Sequence, residues 1–262
     1  MKQNHIALVA RSITRQMEAK QLAEQLQLDY IDDPLSSPLP SYDFLLVLTD
    51  AYLGLQKVGE TMDSLFFINF DSGKMRYRHQ QASLRKEWVA KAVGVSPKES
   101  PSIIDATAGL GRDSFILATL GYHVLMLEKS SVLYALLQDG LRRAKLNDDL
   151  NPIIERLQLI HTDSIIWLNQ LNNSARPDII FLDPMFPPRK KTAAVKKEMQ
   201  ILHQIIEPAE DDDALFTAAL ACTKRRLVVK RPRFAPYYSG YKPNFSLIGK
   251  SSRFDIYLKA NS

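Results

Sequence analysis

The sequence lacks several features on which whole classes of protein depend. Its 262 residues include a single cysteine, Cys222, so no internal disulfide can form and no cysteine-based zinc cluster is available. The longest apolar runs, such as residues 44–48, are far too short to span a bilayer. No long apolar segment follows the first basic residue, which disfavours a secretory signal. Together these absences predict a cytoplasmic protein with no membrane span and no metal site.

The net charge of +5 is unevenly distributed. Residues 185–262 contain 15 Lys or Arg against 7 Asp or Glu, whereas residues 1–184 contain 19 against 22. The basic excess therefore lies in the C-terminal third, and this predicts that a polyanionic partner binds there. A solvated basic face is the alternative interpretation.

The first 80 residues are predicted to form a small α/β domain, and nothing in them looks catalytic. Residues 5–9 and 44–48 are apolar and strand-like, and the spacing of apolar residues predicts a helix from Ser12 to about Leu28. Residues 65–78, with Asp71-Ser-Gly73 at the centre, are typical of a hairpin.

Residues 81–262 show a different pattern, in which short apolar strands alternate with helices. Helices are predicted at 83–93, 112–120 and 131–144, and strands at 102–105, 123–127, 157–161, 178–182 and 226–230. This alternation predicts parallel βαβ units in one doubly wound sheet. Gly121 fits the C′ position of the second helix, and residues 253–258 alternate like an edge strand.

The turn after the first of these strands is the first candidate for a ligand site. In the run Asp105-Ala-Thr-Ala-Gly-Leu-Gly-Arg-Asp113, Gly109 and Gly111 allow a tight turn and a close approach to a ligand. The turn has neither the Gly-Lys-Ser/Thr of a P-loop nor the G-x-G-x-x-G of a dinucleotide site. Asp113 at the helix start would repel a pyrophosphate, whereas it suits a cofactor with a positive charge.

Acidic residues also follow the next three strands, at the edge where such sheets bind ligands. Glu128 is placed to accept the ribose hydroxyls of a nucleoside, although a surface glutamate is an open alternative. Asp163, before Ser164, can accept from an adenine amino group. The run Asp183-Pro-Met-Phe-Pro187 is the most specific, because proline ends the strand and stiffens the loop; an ordinary Asp-Pro turn is its alternative.

Asp183-Pro-Met-Phe-Pro187 resembles the Asp/Asn-Pro-Pro-Tyr/Phe motif of methyltransferases that modify exocyclic amines of bases, with Met185 in place of the second proline. More specifically, the chain from about residue 90 onwards resembles the ribosomal RNA small subunit methyltransferase J family, in which Met185 is expected. The segments that carry this resemblance are residues 105–113, 156–161, 182–187, 195–199, 229–232 and 253–257.

The resemblance implies a Rossmann-like class I methyltransferase sheet, here residues 81–262, preceded by the small α/β domain at 1–80. It implies S-adenosylmethionine as cofactor and the N2 amine of one guanosine in 16S ribosomal RNA, free or in the small subunit, as substrate. The cofactor contacts that it implies are Arg112, Asp113, Glu128, Lys129, Asp163, Ser164 and Asp183. The strand end and its glycine turn add Asp105, Gly109 and Gly111 to the predicted cofactor site.

The reaction expected at such a site is an in-line methyl transfer to a poorly nucleophilic amine. Asp183 and the carbonyl of Pro184 are the candidates to hold the two amine hydrogens and aim the lone pair. Phe186 is expected to stack on the displaced base, with core packing as the equal alternative.

Basic residues after this loop and after the strand at 226–230 suit RNA phosphates. They are Arg189, Lys190, Lys191, Lys196, Lys197, Lys230, Arg231 and Arg233. A non-catalytic RNA-binding module that retains the fold is the alternative function, although it predicts loss of the acidic strand ends. A nucleotide-dependent oxidoreductase is disfavoured by the missing glycine pattern.

Overall fold

The computed structural model describes residues 5–32, 42–60, 64–184, 205 and 212–259. They form two sheets, one of four strands and one of seven. Within these residues, no helix is both long enough and apolar enough to cross a membrane.

The smaller sheet is built from the N-terminal part of the chain and has the order β2-β1-β3-β4. Its strands are β1 (Ile6–Ala10), β2 (Asp29–Ile31), β3 (Phe44–Leu48) and β4 (Leu53–Lys57). Strand β1 is parallel to β2 and β3, while β4 returns antiparallel to β3. Helix α1 (Gln16–Leu26) packs on β1 and buries Ala19 and Ala23, so the predicted helix is confirmed in a shorter form.

The hairpin predicted for residues 65–78 is wrong. Phe66 makes only an isolated bridge with Leu55, and the second half of the segment is helix α2 (Gly73–Gln80). The Ser72 side chain accepts a hydrogen bond from the Met75 N–H and so caps this helix. The few residues after Gly73 fit the period of a strand as well as that of a helix, and the cap favours the helix.

The larger sheet has the order β10-β11-β9-β8-β5-β6-β7. Its strands are β5 (Ile103–Asp105), β6 (Val124–Glu128), β7 (Leu157–His161), β8 (Ile179–Leu182), β9 (Arg226–Pro232), β10 (Phe245–Ile248) and β11 (Ser252–Leu258). Strands β5 to β9 are mutually parallel, which confirms the predicted doubly wound arrangement. The helices of this part are α3 (Trp88–Val93), α4 (Arg112–Thr119), α5 (Ser131–Lys145), α6 (Asn151–Ile154), α7 (Ser164–Asn169) and α8 (Asp212–Cys222).

Strand β11 is not the edge strand that its alternation predicts. It lies between β9 and β10 and is antiparallel to both, so its polar side chains are covered as well as its apolar ones. Asp255 is fully buried because Arg253, two residues earlier, donates to both of its carboxylate oxygens at 2.9 and 3.0 Å. The edge strand on this side of the sheet is β10, which the sequence pattern does not predict.

The two sheets share one hydrophobic core. Leu8 and Leu46 of the smaller sheet belong to the same cluster of buried side chains as Ile103 and Phe115 of the larger one. Helix α5 connects them, since the buried carboxylate of Asp139 accepts the β4 N–H of Leu53 at 3.0 Å. The division into domains at residues 1–80 and 81–262 therefore stays a prediction, although it separates the two sheets.

Candidate cofactor and active site

Acidic side chains converge at the carboxyl edge of the larger sheet. After β5 the chain passes to β6 and β7 on one side, and then returns to β8 on the other side of β5. The point where the strand order reverses is where open parallel sheets bind their ligands, because the loops on either side diverge there. Asp105 ends β5 and Asp183 follows β8, so these two carboxylates flank the reversal point.

The turn between β5 and α4 has the backbone that its glycines predict. Gly109 and Gly111 have φ of +52° and +67°, a region that residues with side chains rarely adopt. A Cβ on Gly111 would lie 2.8 Å from Leu137 Cδ1, so this glycine is also required by packing. Among the described residues, a Cβ on Gly109 would meet only the Thr107 carbonyl at 3.7 Å, so a ligand can approach this backbone closely.

Asp105 is buried beneath this turn, with 2% of its surface exposed. Its carboxylate accepts from the Ser114 hydroxyl at 2.5 Å and from the Thr107 N–H at 3.1 Å. Burial raises the pKa of Asp105 to about 7, although both hydrogen bonds favour the ionised form. Asp105 therefore fixes the turn and changes its charge near neutral pH.

Glu128, at the end of β6, is also buried and holds two loops together. Its carboxylate accepts from the Gly109 N–H at 2.9 Å and from the Ser130 N–H at 2.8 Å. Burial raises the pKa of Glu128, and the backbone N–H groups oppose that effect. A carboxylate can accept about four hydrogen bonds, so the predicted ribose contact remains compatible with these two.

Asp163 and Ser164 lie at the end of β7, where α7 begins. Asp163 caps this helix, because its carboxylate accepts the N–H groups of Ile165 and Ile166 at 2.8 and 3.3 Å. It also forms a 2.8 Å ion pair with the exposed Lys129. Burial opposes ionisation of Asp163, but Lys129 and the helix N–H groups outweigh it and lower its pKa. The Ser164 hydroxyl donates to the Ala106 carbonyl at 2.7 Å and so ties α7 to the glycine turn.

Lys230 of β9 lies between two of the carboxylates. Its ammonium is 2.7 Å from Asp113 and 2.6 Å from Asp183. Arg78 of α2 reaches the other oxygen of Asp113 at 3.2 Å, and the Asp183 N–H donates to the Thr107 hydroxyl at 2.6 Å. The network fixes both the backbone and the side chain of Asp183.

The charges of this network set its protonation. Burial raises the pKa of Asp183 and repulsion from Asp113 adds to it, while Lys230 opposes both. Burial disfavours ionised Asp113 as well, but Lys230 and Arg78 outweigh it and lower its pKa. Burial would lower the pKa of Lys230, yet the two carboxylates raise it above its usual value. Lys230 is thus a permanent cation between two acids.

Sequence reasoning misses two residues of this network and gives a third another role. The sequence pattern identifies neither Arg78 nor Thr107, and it assigns Lys230 to RNA. Lys230 ends the apolar run of β9 at the same sheet edge as the acidic residues, so the rule that finds them could also find this lysine. Arg78 comes from the other part of the chain, and no local pattern connects it to Asp113.

The remaining predicted site residues differ in their exposure, and several of them lie outside the described residues. Arg112 is half-buried at the start of α4, Pro184 is buried, and Arg233 is exposed. Arg231 is only 7% exposed, donates to the Pro236 carbonyl at 2.9 Å and lies over the Tyr238 ring, and its contact with RNA stays a prediction. Those outside the described residues are Phe186, Arg189, Lys190, Lys191, Lys196 and Lys197.

The residues at this edge fit a cationic nucleoside cofactor. S-adenosylmethionine carries a sulfonium and an ammonium group, and acidic side chains end or follow four neighbouring strands here. The open space at Gly109 admits a ligand against the backbone. Among the described residues, no group of three or more His, Cys, Asp or Glu side chains is arranged to hold a metal ion.

Comparisons with known proteins agree with this geometry. Residues 14–259 match the family model described as "Putative SAM-dependent methyltransferase". The chain is 42% identical over 255 residues to the ribosomal RNA small subunit methyltransferase J of Marinobacter nauticus, covering 97% of this chain and 91% of the relative. It is 44% identical to that of Aeromonas hydrophila over 232 residues, covering 87% and 93%.

A solved structure confirms the fold class. The SAM-dependent methyltransferase of Neisseria gonorrhoeae superposes with a TM-score of 0.72 at 31% identity, covering 97% of this chain and 95% of the other. This chain therefore belongs to the ribosomal RNA small subunit methyltransferase J family and is an S-adenosylmethionine-dependent methyltransferase with a Rossmann-like sheet.

Proposed function

We propose that this enzyme methylates the exocyclic N2 amine of one guanosine in 16S ribosomal RNA. The observation that carries the proposal is the position of Asp183, which lies at the reversal point of the sheet and is the first residue of the sequence motif Asp-Pro-Met-Phe-Pro. The names of the Marinobacter and Aeromonas relatives give the small-subunit ribosomal RNA as their substrate, and this supports the RNA part of the proposal.

The chemistry of the amine explains why a carboxylate is needed at this position. The lone pair of guanine N2 is delocalised into the ring, so the amine is a weak nucleophile. The Asp183 carboxylate and the Pro184 carbonyl each accept a hydrogen bond from one of the two N–H groups of the amine, and so aim its lone pair away from the ring plane. These acceptors matter most as positive charge develops on the nitrogen, so they stabilise the transition state more than the bound substrate.

The cofactor, when bound, supplies an electrophilic methyl group on its sulfonium. Glu128 would accept the ribose hydroxyls, and Asp163 and Ser164 would contact the adenine, with Lys129 beside them. Arg112 and Asp113 would contact the methionine part, above the turn of Gly109 and Gly111. These roles follow from the strand ends to which the residues belong.

The described hydrogen bonds give Lys230 a positioning role in this proposal. Because Lys230 favours the ionised form of Asp183, it keeps the carboxylate ready to accept the amine hydrogens. The Thr107 hydroxyl holds the backbone N–H of the same residue. Phe186 as the base-stacking residue and the lysines at 190, 191, 196 and 197 as phosphate contacts stay predictions, as does a cytoplasmic location.

The test is single-turnover methylation of small-subunit ribosomal RNA by Asp183→Ala and Asp183→Asn variants, with cofactor and RNA both saturating. If Asp183 orients the amine, both variants fold and bind RNA normally, and the rate constant falls strongly in Ala and less in Asn, which keeps one acceptor oxygen. Asp50→Asn, an exposed acid far along the sequence, is the control. A folded Asp183→Ala enzyme with normal single-turnover methylation would disprove this role.

The position of the methyl group is tested in the same assay by analysing the modified nucleoside. N2-methylguanosine is the expected product, and replacing the target guanosine by inosine, which lacks the N2 amine, should abolish transfer. Methylation of another atom would contradict the proposed specificity while leaving the methyltransferase activity intact. Parallel reactions on free RNA and on assembled subunits identify the form of the substrate.

A further inference from the structure

A second basic region lies in the N-terminal half of the chain, away from the C-terminal third that carries the net positive charge. Residues 73–91 contain six Lys or Arg and a single acid, Glu87. Arg78 donates to Glu87 at 2.8 Å, so the acid is already neutralised. The exposed cations of this segment are Lys74, Arg76, Arg85, Lys86 and Lys91, and of these Arg76 is paired with Asp71 at 2.8 Å.

Large apolar side chains are exposed among these cations. Tyr77 is 70% exposed, Leu84 42% and Trp88 41%. The Lys91 ammonium lies 4.6 Å from the centroid of the Trp88 ring, so one cation and one aromatic face already form a pair. Aromatic rings alternate here with positive charges, which is the composition of surfaces that bind single-stranded nucleic acids.

The fold places this segment beside the active site. The last turn of α3 is near the start of β9, since Arg226 donates to the Ala92 carbonyl at 2.7 Å. Its first turn therefore lies at the carboxyl edge of the sheet, where a Cβ on Gly249 in the β10–β11 turn would be 3.8 Å from the Trp88 ring. Arg78, at the end of α2, contacts Asp113 in the cofactor site itself.

We propose that α2, α3 and the residues between them form an RNA-binding surface, the α2–α3 surface, for the unpaired strand that flanks the target nucleotide. Arg85, Lys86 and Lys91 bind its phosphates, and Tyr77 and Trp88 stack on its bases. The inference rests on the proposed RNA substrate and adds the place where that substrate docks. It gives the N-terminal part of the chain a role in recognition.

Charge and spacing favour RNA over a protein partner. A protein-binding patch is enriched in contiguous apolar area, whereas cations separate the exposed rings of this surface. An unpaired strand offers a phosphate and a stackable base at every nucleotide, so it matches cations and rings in alternation. A base flipped into the site near Asp183 also leaves its neighbours unstacked, and exposed aromatic faces can hold them.

The first test measures RNA binding by a triple variant and by a double control variant over a range of salt concentrations. Arg85→Ala/Lys86→Ala/Lys91→Ala should weaken binding of small-subunit ribosomal RNA about tenfold or more and reduce the slope of log affinity against log salt by about 2, for three phosphate contacts to a single strand. Lys98→Ala/Lys145→Ala removes two exposed lysines near the opposite edge of the sheet and should change neither quantity. Cofactor affinity should be unchanged in both.

The second test separates stacking from charge. Tyr77→Ala should weaken RNA binding several-fold with the salt slope intact, and Tyr77→Phe, which keeps the ring, should restore it. Tyr77 is largely exposed, so neither change threatens the fold.

These outcomes also separate the surface from the proposed reaction. If the wild-type chain methylates ribosomal RNA while the triple variant binds it with unchanged affinity and slope, the α2–α3 surface is disproved and the function stands. If the wild-type chain methylates no RNA, binding of a single-stranded oligouridine to the same variants still decides whether the surface holds RNA, and an unchanged affinity overturns it.

Discussion

Replacing Asp105 with Asn should make the stability of this protein less sensitive to pH. Burial raises the pKa of Asp105 from its usual 3.8 to about 7, while Ser114 and the Thr107 N–H only partly oppose it. Above pH 7 the folded protein must therefore keep an ionised carboxylate in a buried site. At about 1.4 kcal/mol per pKa unit, this costs about 4 kcal/mol of folding free energy.

The sign follows from proton binding. Between pH 3.8 and about 7 the folded state binds the Asp105 proton more tightly than the unfolded chain does, so the free energy of unfolding falls as pH rises through this window. Asn carries no charge at any pH. The free energy of unfolding of Asp105→Asn minus that of the wild type should therefore increase by about 3 kcal/mol between pH 5 and pH 8.

The assay is urea unfolding of both proteins at pH 5, 6, 7 and 8. Taking the difference cancels the titrating groups that do not interact with Asp105, and equal m-values check that both proteins unfold in the same way. Ser114→Ala is a second variant: it removes the 2.5 Å hydrogen bond to the carboxylate, so the pKa of Asp105 rises further and the loss of stability extends to higher pH. A difference between Asp105→Asn and wild type that stays constant from pH 5 to 8 would refute the reasoning.

Three further changes test other parts of the site. Glu128→Ala should weaken S-adenosylmethionine binding by roughly 1–3 kcal/mol in calorimetry, because it removes an acceptor at a buried position; an unchanged affinity in a folded variant would exclude Glu128 from the site. Lys230→Met should raise the pKa of Asp183 further, so that, as the pH is lowered, this variant should lose methylation activity at a higher pH than the wild type does. Lys230→Arg should restore much of the wild-type pH profile of activity. Superimposable pH profiles for Lys230→Met and the wild type would contradict this. Gly111→Ala should cost about 2–4 kcal/mol in urea unfolding, because its φ is positive and an added Cβ would clash with a neighbouring side chain. Gly59→Ala, also at positive φ but with no described atom within 4 Å of an added Cβ, should cost less, and equal losses would show that packing at Gly111 is unimportant.

The sequence alone is sufficient to predict the parallel part of the larger sheet. Buried parallel strands are short, mainly apolar runs, and an acidic residue ends or closely follows each of β5 to β8, so their positions can be read locally. Residues 157–161 form a strand with the predicted bounds, and Gly121 follows α4 with a φ of +96°. Because parallel strands end at one edge, the positions of the acidic residues directly after them are enough to group these residues in one site.

Short elements with weak patterns cannot be predicted in the same way. Strand β10 has no buried residue, and α2 buries Met75 alone, so neither shows a clear period. The order of the strands at the C-terminal side also cannot be predicted from local sequence patterns. Alternation of polar and apolar residues cannot distinguish an edge strand from an interior strand whose polar side chains form ion pairs within the protein. Asp255 is buried in β11 because Arg253 neutralises it there.

The sequence thus determined which residues end the strands, and only the tertiary structure decided which of them are partners. Lys230 is 117 residues from Asp113 and 47 from Asp183, and Arg78 is 35 from Asp113. An ion pair depends on distance in space, and the packing of α2 and β9 around α4 sets those distances. A lysine that sequence charge assigns to RNA becomes, in the folded protein, the cation that holds the Asp183 carboxylate.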